Sequence, residues 1–269
     1  MEARATVIIP TFGQASFAQW AVKSVQNQKI KDIEICIICD GSPEPMVTFF
    51  RTTAQDDPRI KVFSFPKSPR TGEPYRDFVI KQTTGKIICY CSHDDLWLPS
   101  HLQEMEGALT KCRFAHSLHA AVNLPEKVKS KRRLFNRISI ENLKDPNTVK
   151  NMFRGNNFFG LTYGAHTRDS YFKLKEGWVT TPGENVPTDL YMWCKFLAAF
   201  PRECKTVMKI TALHFTREPR KAWSEQQRDD ELKFYFERIQ DPRFMKTISR
   251  SSLKSKIKRL SNWRCRLLR

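Results

Sequence analysis

Up to Thr110, two hydrophobic textures alternate along the chain. Dense β-branched runs at Ala5 to Pro10, Ile33 to Cys39, Ile60 to Phe65 and Ile87 to Ser92 predict strands, since unbroken apolar runs of this length suit a sheet covered on both faces. Between them, Ala15 to Gln28, Glu44 to Ala54 and Tyr75 to Thr83 repeat apolar positions at helical spacing, the last closed by Gly85. Strand and helix in alternation predict an α/β domain with a mostly parallel central sheet flanked by helices. After Phe114 the pattern loosens. Phe114 to Val122 reads as a strand, Lys127 to Arg137 as a solvated basic loop, and Asn157 to Ala165 as a Gly- and aromatic-rich strand. Leu190 to Phe200 reads as a helix with its apolar face at Leu190, Trp193, Cys194 and Leu197.

A chain of 269 residues with 40% hydrophobic and 12% aromatic content can fill a core, which excludes disorder throughout and suits one domain with an appendage. Charge marks the appendage. From Arg243 to Arg269 ten residues are basic and none is acidic, more than half of the net charge of +18. The expected division is residues 1–112, residues 113–240 of the same domain, and a basic segment 241–269. Within that segment Leu253, Ile257, Leu260, Trp263 and Leu267 recur at helical spacing among lysines and arginines, as in a C-terminal amphipathic helix. Such a helix suits an anionic membrane surface, its own domain, or nucleic acid; no nucleic-acid motif accompanies the charge, which favours the membrane.

The first ten residues include Glu2 and Arg4, unlike a secretory signal, and no run of about 18 apolar residues predicts a membrane span. The expected location is the cytoplasm, with peripheral contact at the cytoplasmic face of a membrane. Eight cysteines in that setting read as reduced thiols. Cys36 and Cys39 fall on opposite faces of a strand and cannot chelate one ion together, and Cys89 and Cys91 read likewise as buried thiols.

In an open parallel sheet, ligands bind beyond the carboxyl ends of the strands. There the sequence sets Pro10, Thr11, Phe12 and Gly13 after the first strand, Asp40, Gly41 and Ser42 after the second, and Ser92, His93, Asp94 and Asp95 after the fourth. Adjacent carboxylates repel unless a cation sits between them. Mg²⁺ or Mn²⁺, held by one or two carboxylates and completed by phosphate oxygens, meets that need and points to a diphosphate ligand. The plainer role of the pair is to cap the helix beginning near Ser100. Asp40 can accept the imide N–H of uracil or thymine, or serve only as a turn residue. No Gly-rich phosphate loop follows the first strand, so neither a P-loop nor a dinucleotide fingerprint is present.

Two segments carry a family resemblance: ATVIIPTFGQASFAQWAVKSVQNQKIKDIEICIICDGSP from Ala5 to Pro43, and Asp57 to His101, which includes DPRIKVF and TTGKIICYCSHDDLWLPSH. In order and spacing they resemble the opening of family 2 glycosyltransferases. The resemblance implies a GT-A (Rossmann-like) fold, residues 1–112 as its nucleotide-sugar-binding half and 113–240 as its acceptor-binding half. It implies inverting transfer of a sugar from a nucleoside-diphosphate donor, UDP- or dTDP-linked, to a glycan or lipid-linked oligosaccharide. Pro10, Thr11, Phe12, Asp40, Arg76, Asp94 and Asp95 would then bind the donor, and Asp94 and Asp95 the metal. Family members often read D-D-G-S and D-S-D-D, where this chain has Cys39 and Ser92 in place of the leading acids; which aspartate ligates directly stays open. His93 could add a nitrogen ligand or be a surface residue.

Thr188 to Lys195 is similar to the family's E-D-x-x-L-W-x-R helix start, which makes Asp189 the candidate general base or, more plainly, a first-turn anion. His214 stands where family members often carry a histidine near the diphosphate and metal, although a histidine in an apolar run also packs. The Q-x-x-R-W signature of processive members is missing, which favours single-sugar addition. Two rival readings are a sugar nucleotidyltransferase and a non-enzymatic basic RNA- or membrane-binding module.

Overall fold

The computed structural model describes residues 2–13, 16–124 and 134–248. Its strands are β1 (Ala5–Thr11), β2 (Ile33–Asp40), β3 (Ile60–Phe65), β4 (Ile87–Tyr90), β5 (Leu96–Trp97), β6 (Phe114–Val122), β7 (Phe135–Ile138), β8 (Gly164–Thr167) and β9 (Cys204–His214). Its helices are α1 (Ala18–Gln26), α2 (Glu44–Asp56), α3 (Glu73–Lys81), α4 (His101–Leu109), α5 (Pro146–Phe153), α6 (Arg168–Phe172), α7 (Thr188–Ala199) and α8 (Glu225–Arg238). The strands form one sheet in the order β3-β2-β1-β4-β8-β6-β9-β5, with β7 paired to β6. Strands β1 to β4 run parallel, β8 runs against both β4 and β6, and β6 pairs parallel with β9. The α/β architecture with a mostly parallel, helix-flanked sheet is therefore as the hydrophobic pattern predicts.

Burial explains why the first half was readable. Val7, Ile8 and Ile9 of β1 and Ile35 to Cys39 of β2 are sealed from solvent, each such aliphatic side chain contributing roughly 1.5–3 kcal/mol. Pro10 has a further effect. Ile8 accepts from the Cys91 N–H, so alternation points Pro10 toward β4 as well; lacking an N–H it cannot extend that ladder, whose last pair is Ile8 with Tyr90. The β1–β4 ladder thus stops at the position where the strand order reverses, the place at which an open sheet of this kind leaves a crevice beyond the carboxyl ends of its strands.

Three expectations change. Asn157 to Ala165 is not a strand: residues 157–160 are irregular, Leu161–Tyr163 form a 3-10 turn, and only Gly164–Thr167 pair. The basic stretch expected to remain a loop through Arg137 instead ends in β7, paired with β6; residues 125–133 lie outside the described residues. The basic segment begins inside the body: residues 242–248 are helical, and Phe244 and Ile248 are buried in a second core cluster with Leu213, Phe215, Leu232 and Tyr235. The amphipathic helix expected over 253–267 lies outside the described residues.

Among the described residues no helix is long and apolar enough to cross a membrane. Cys36, Cys39, Cys89, Cys91 and Cys112 are buried free thiols, and burial pushes Cys36 up to about 12 and Cys39 up to about 11.

Candidate active site

Asp40 ends β2 with only 2% of its surface exposed. One carboxylate oxygen accepts from the Ser68 N–H at 2.6 Å; the other accepts from Ser68 Oγ at 2.9 Å and Lys67 Nζ at 2.8 Å. Gly41 next to it has φ +68°, and a Cβ there would stand 2.5 Å from Lys67 Cβ, so the turn needs glycine for its backbone and for this contact. Asp40 thus anchors the loop of residues 66–72 and keeps little free acceptor capacity for a base. Phe12 is 39% exposed at the crevice mouth, with the His93 ring edge-on at 5.2 Å and the Arg217 guanidinium 5.2 Å from its centroid. Thr11 beneath it is buried, and its hydroxyl has no partner.

After β4 the two aspartates part. Asp94 is half-buried; Ser92 Oγ donates to it at 2.7 Å, and Arg228 of α8 stands 3.8 Å from its other oxygen. Asp95 is buried and saturated. It accepts from Thr162 Oγ1 at 2.5 Å, Tyr163 Oη at 3.1 Å, the Phe215 N–H at 3.1 Å and His214 Nδ1 at 3.0 Å. Burial favours the neutral carboxyl, yet the His214 charge and these donors outweigh it and bring Asp95 down to about 2. For His214 burial acts downward, and the Asp95 charge, their hydrogen bond and the Asp94 charge together raise it above the usual imidazole value.

On the other side of the crevice, α7 begins after Pro187 with Asp189 in its first turn. Asp189 is half-buried, and its Oδ1 accepts from Asn157 Nδ2 and the Leu190 N–H, both at 2.9 Å. Burial raises its carboxyl from the ordinary aspartate value, opposed by those two donors and by the Arg76 charge. A base with that shift is stronger than an exposed aspartate. Arg76 is 3% exposed and lies against the Trp178 ring at 4.7 Å. Burial lowers its affinity for the proton; Glu73, Tyr90, Asp189 and Asp40 act the other way, so its field reaches both sides of the crevice. Nη2 donates to the Thr71 carbonyl at 2.6 Å, while Nε and Nη1 have no partner. Unpaired donors on a buried cation are costly.

Two loops join these groups. Residues 157–163 hold Asp189 at one end, through Asn157, with Gly160 packed on its Oδ2, and Asp95 at the other, through Thr162 and Tyr163. Residues 66–72 hold Asp40 at one end and reach the start of α7 at the other, where Thr71 Oγ1 donates to Thr188 Oγ1 at 3.2 Å. These contacts tie Asp189 to Asp95 and His214 through one loop and to Arg76 and Asp40 through the other; this linked set is the candidate rim. Sequence reasoning missed Lys67, Ser68, Asn157, Thr162, Tyr163 and Arg228. Only Arg228 had a local signal, the S-x-x-Q capping box of Ser224 and Gln227 that starts α8.

The rim can be tested for a divalent cation. Among the described residues no three His, Cys, Asp or Glu side chains gather as a metal cage. A two-ligand site completed by diphosphate oxygens fits Mg²⁺ or Mn²⁺, and Asp94 with Nε2 of His214 offers it. Asp95 fits poorly as a direct ligand because its acceptor positions are filled. Its bond to His214 Nδ1 instead leaves Nε2 free to ligate, the usual task of a carboxylate behind a metal-binding histidine.

Residues 6–172 match the sequence profile of Glycosyl transferase family 2. The chain belongs to that family. One relative is the GalNAc(5)-diNAcBac-PP-undecaprenol beta-1,3-glucosyltransferase of Campylobacter jejuni, 29% identical over 100 residues that cover 37% of this chain and 32% of that protein. Chondroitin synthase of Pasteurella multocida is 31% identical over 61 residues, 23% of this chain and 6% of its own length. Among solved structures, S. aureus TarS superposes on 88% of this chain and 43% of its own with a TM-score of 0.59 at 13% identity. TarS 1–349 in complex with UDP-GlcNAc gives 0.59 at 14% identity over 87% of this chain and 65% of that one. At such identity the likeness shows the shared fold, GT-A. The chain spans about a third of the Campylobacter relative's length.

Proposed function

We propose that this family 2 protein is an inverting glycosyltransferase that moves one sugar from a nucleoside-diphosphate donor, UDP- or dTDP-linked, to a glycan or lipid-linked oligosaccharide. The donor base lies between Phe12 and the Asp40 turn, over Pro10 and Thr11, with the diphosphate running toward Arg76 and Asp94. Asp189 takes the proton of the acceptor hydroxyl as that oxygen attacks the anomeric carbon; the bond from carbon to diphosphate oxygen breaks, and its electrons leave on the diphosphate. Asp94 and Nε2 of His214 would hold Mg²⁺ or Mn²⁺, which when bound neutralises the leaving diphosphate. Asp95 fixes His214, and the buried Arg76 adds charge toward the same oxygens.

One observation supports this reading: the 157–163 loop contacts Asp189 at one end and Asp95 at the other, so a single loop holds the residues proposed as base and as part of the diphosphate side. The UDP-GlcNAc bound by TarS supports a uridine donor, and the undecaprenyl-diphosphate-linked acceptor in the name of the Campylobacter relative supports a lipid-linked one. Peripheral contact with an anionic membrane through residues 243–269 agrees with such an acceptor. The test is a screen of UDP-, dTDP- and GDP-sugars against lipid-linked oligosaccharides, with NMR of the product linkage. Transfer of one residue with the anomeric configuration reversed is expected; retention, polymer formation or nucleotidyl transfer would overturn the reading.

A further inference from the structure

Arg70 lies outside the site residues named so far, yet its guanidinium makes four hydrogen bonds to one neighbouring segment. Nη1 donates to the Thr181 carbonyl at 2.9 Å and to the Gly183 carbonyl; Nη2 donates to the Glu184 carbonyl at 3.1 Å and the Val186 carbonyl at 2.9 Å. All four acceptors are main-chain carbonyls of the segment that runs into Pro187, Thr188 and Asp189. A planar fork can meet four carbonyls on one loop, whereas an ammonium has three donors on a single nitrogen. The segment needs such a clamp: its residues 182–186 are exposed and Gly183 adopts φ +80°, so it has little packing of its own.

The other end of Arg70 is tied to the donor side. Its carbonyl accepts from Lys67 Nζ at 2.7 Å, and the same ammonium pairs with Asp40 at 2.8 Å. Glu73 reinforces the link, accepting from the Thr71 N–H at 2.9 Å and the Thr181 N–H at 3.3 Å. A continuous path thus runs from Asp40 through Lys67 and the Arg70 backbone, then through the Arg70 guanidinium to the residues preceding Asp189.

We infer that Arg70 is a positioning residue, a strap that fixes the Asp189 end of α7 against the nucleotide-side loop and transmits occupancy of the donor site to the general base. Arg70 touches no reacting atom in this role. The inference rests on the reading of Asp189 as the base and of the Asp40 loop as the donor side, but its first test does not depend on either.

Hydrogen exchange on the full chain supplies that test. In Arg70→Ala, amides of residues 181–190 should exchange about ten-fold or more faster, with β1 to β4 unchanged and Arg70→Lys recovering only part of the protection. Unaltered exchange at 181–190, or acceleration spread over the whole sheet, would overturn the strap; if the alanine variant does not fold, the same comparison is made with Arg70→Lys and Arg70→Gln. The second measurement adds uridine diphosphate with Mn²⁺. Protection should rise at 66–72 and at 181–190 in the wild type, but only at 66–72 in Arg70→Ala, with calorimetric affinity within about three-fold. A rise at both segments in Arg70→Ala would refute the transmission. Failure of uridine diphosphate to bind any form would instead count against the donor-site reading, while the exchange comparison without nucleotide still decides the strap.

Discussion

Asp95 gathers four donors on one carboxylate and holds His214 by its Nδ1, and the two side chains titrate in opposite directions. Asp95 is lowered from 3.8 to about 2, so its contribution to stability is present above 3.8 and is lost as pH falls toward 2. His214 is raised above 6.5, so its contribution is full below 6.5 and is lost as pH rises through the folded-state value. In Asp95→Asn an amide N–H₂ would face donors, and loss of part of a buried network of this kind costs about 1–3 kcal/mol. The expected outcome is a melting temperature lower by several degrees and, by NMR titration, a His214 pKa shifted downward; an unchanged His214 titration would break the assignment. At this scale the sequence disclosed the carboxylates through their place at strand ends. It did not disclose their partners: Thr162 and Tyr163 are dozens of positions from Asp95 and belong to no motif, so only the fold brings them onto its carboxylate.

Elements decide how the rim is held. The turn between α3 and β4 presses Gly85 against β1, where a Cβ would sit 2.3 Å from the Thr6 nitrogen and 2.5 Å from the Ala5 carbonyl carbon. Backbone cannot yield as a side chain can, so Gly85→Ala should destabilise the domain by about 1–3 kcal/mol and lower its melting temperature, measured by calorimetry. Strands β1 to β4 were legible because burial on both faces leaves an unbroken apolar signature. The segment before β8 was misread for the opposite reason. Its aromatic and glycine residues look strand-like, but Gly160 packs on Asp189 and Gly164 lies beneath the Trp193 ring, where a Cβ would come within 2.5 Å. Those residues are set by tertiary contacts, which carry no period. The loop at 66–72 had no periodic pattern at all, yet it links the two sides of the crevice.

For the molecule as a whole, charge and fold meet at the C-terminus. Because Phe244 and Ile248 belong to a core cluster, removal of residues 243–269 would damage the body, so the basic segment is tested by truncation after residue 248. That truncated chain should lose cosedimentation with anionic vesicles; equal sedimentation of both forms would dismiss the membrane role of the basic segment. The central claim, that a diphosphate binds at the parting of β1 and β4 with the base across from it, is tested most directly by calorimetric titration of uridine diphosphate, with and without Mn²⁺, into wild type, Asp94→Asn and Asp189→Asn. Affinity should depend on the metal in the wild type, fall at least ten-fold in Asp94→Asn, and stay within about two-fold in Asp189→Asn, although transfer by that variant falls by about 10² to 10⁴. Metal-independent binding, or equal loss of affinity in both variants, would contradict it.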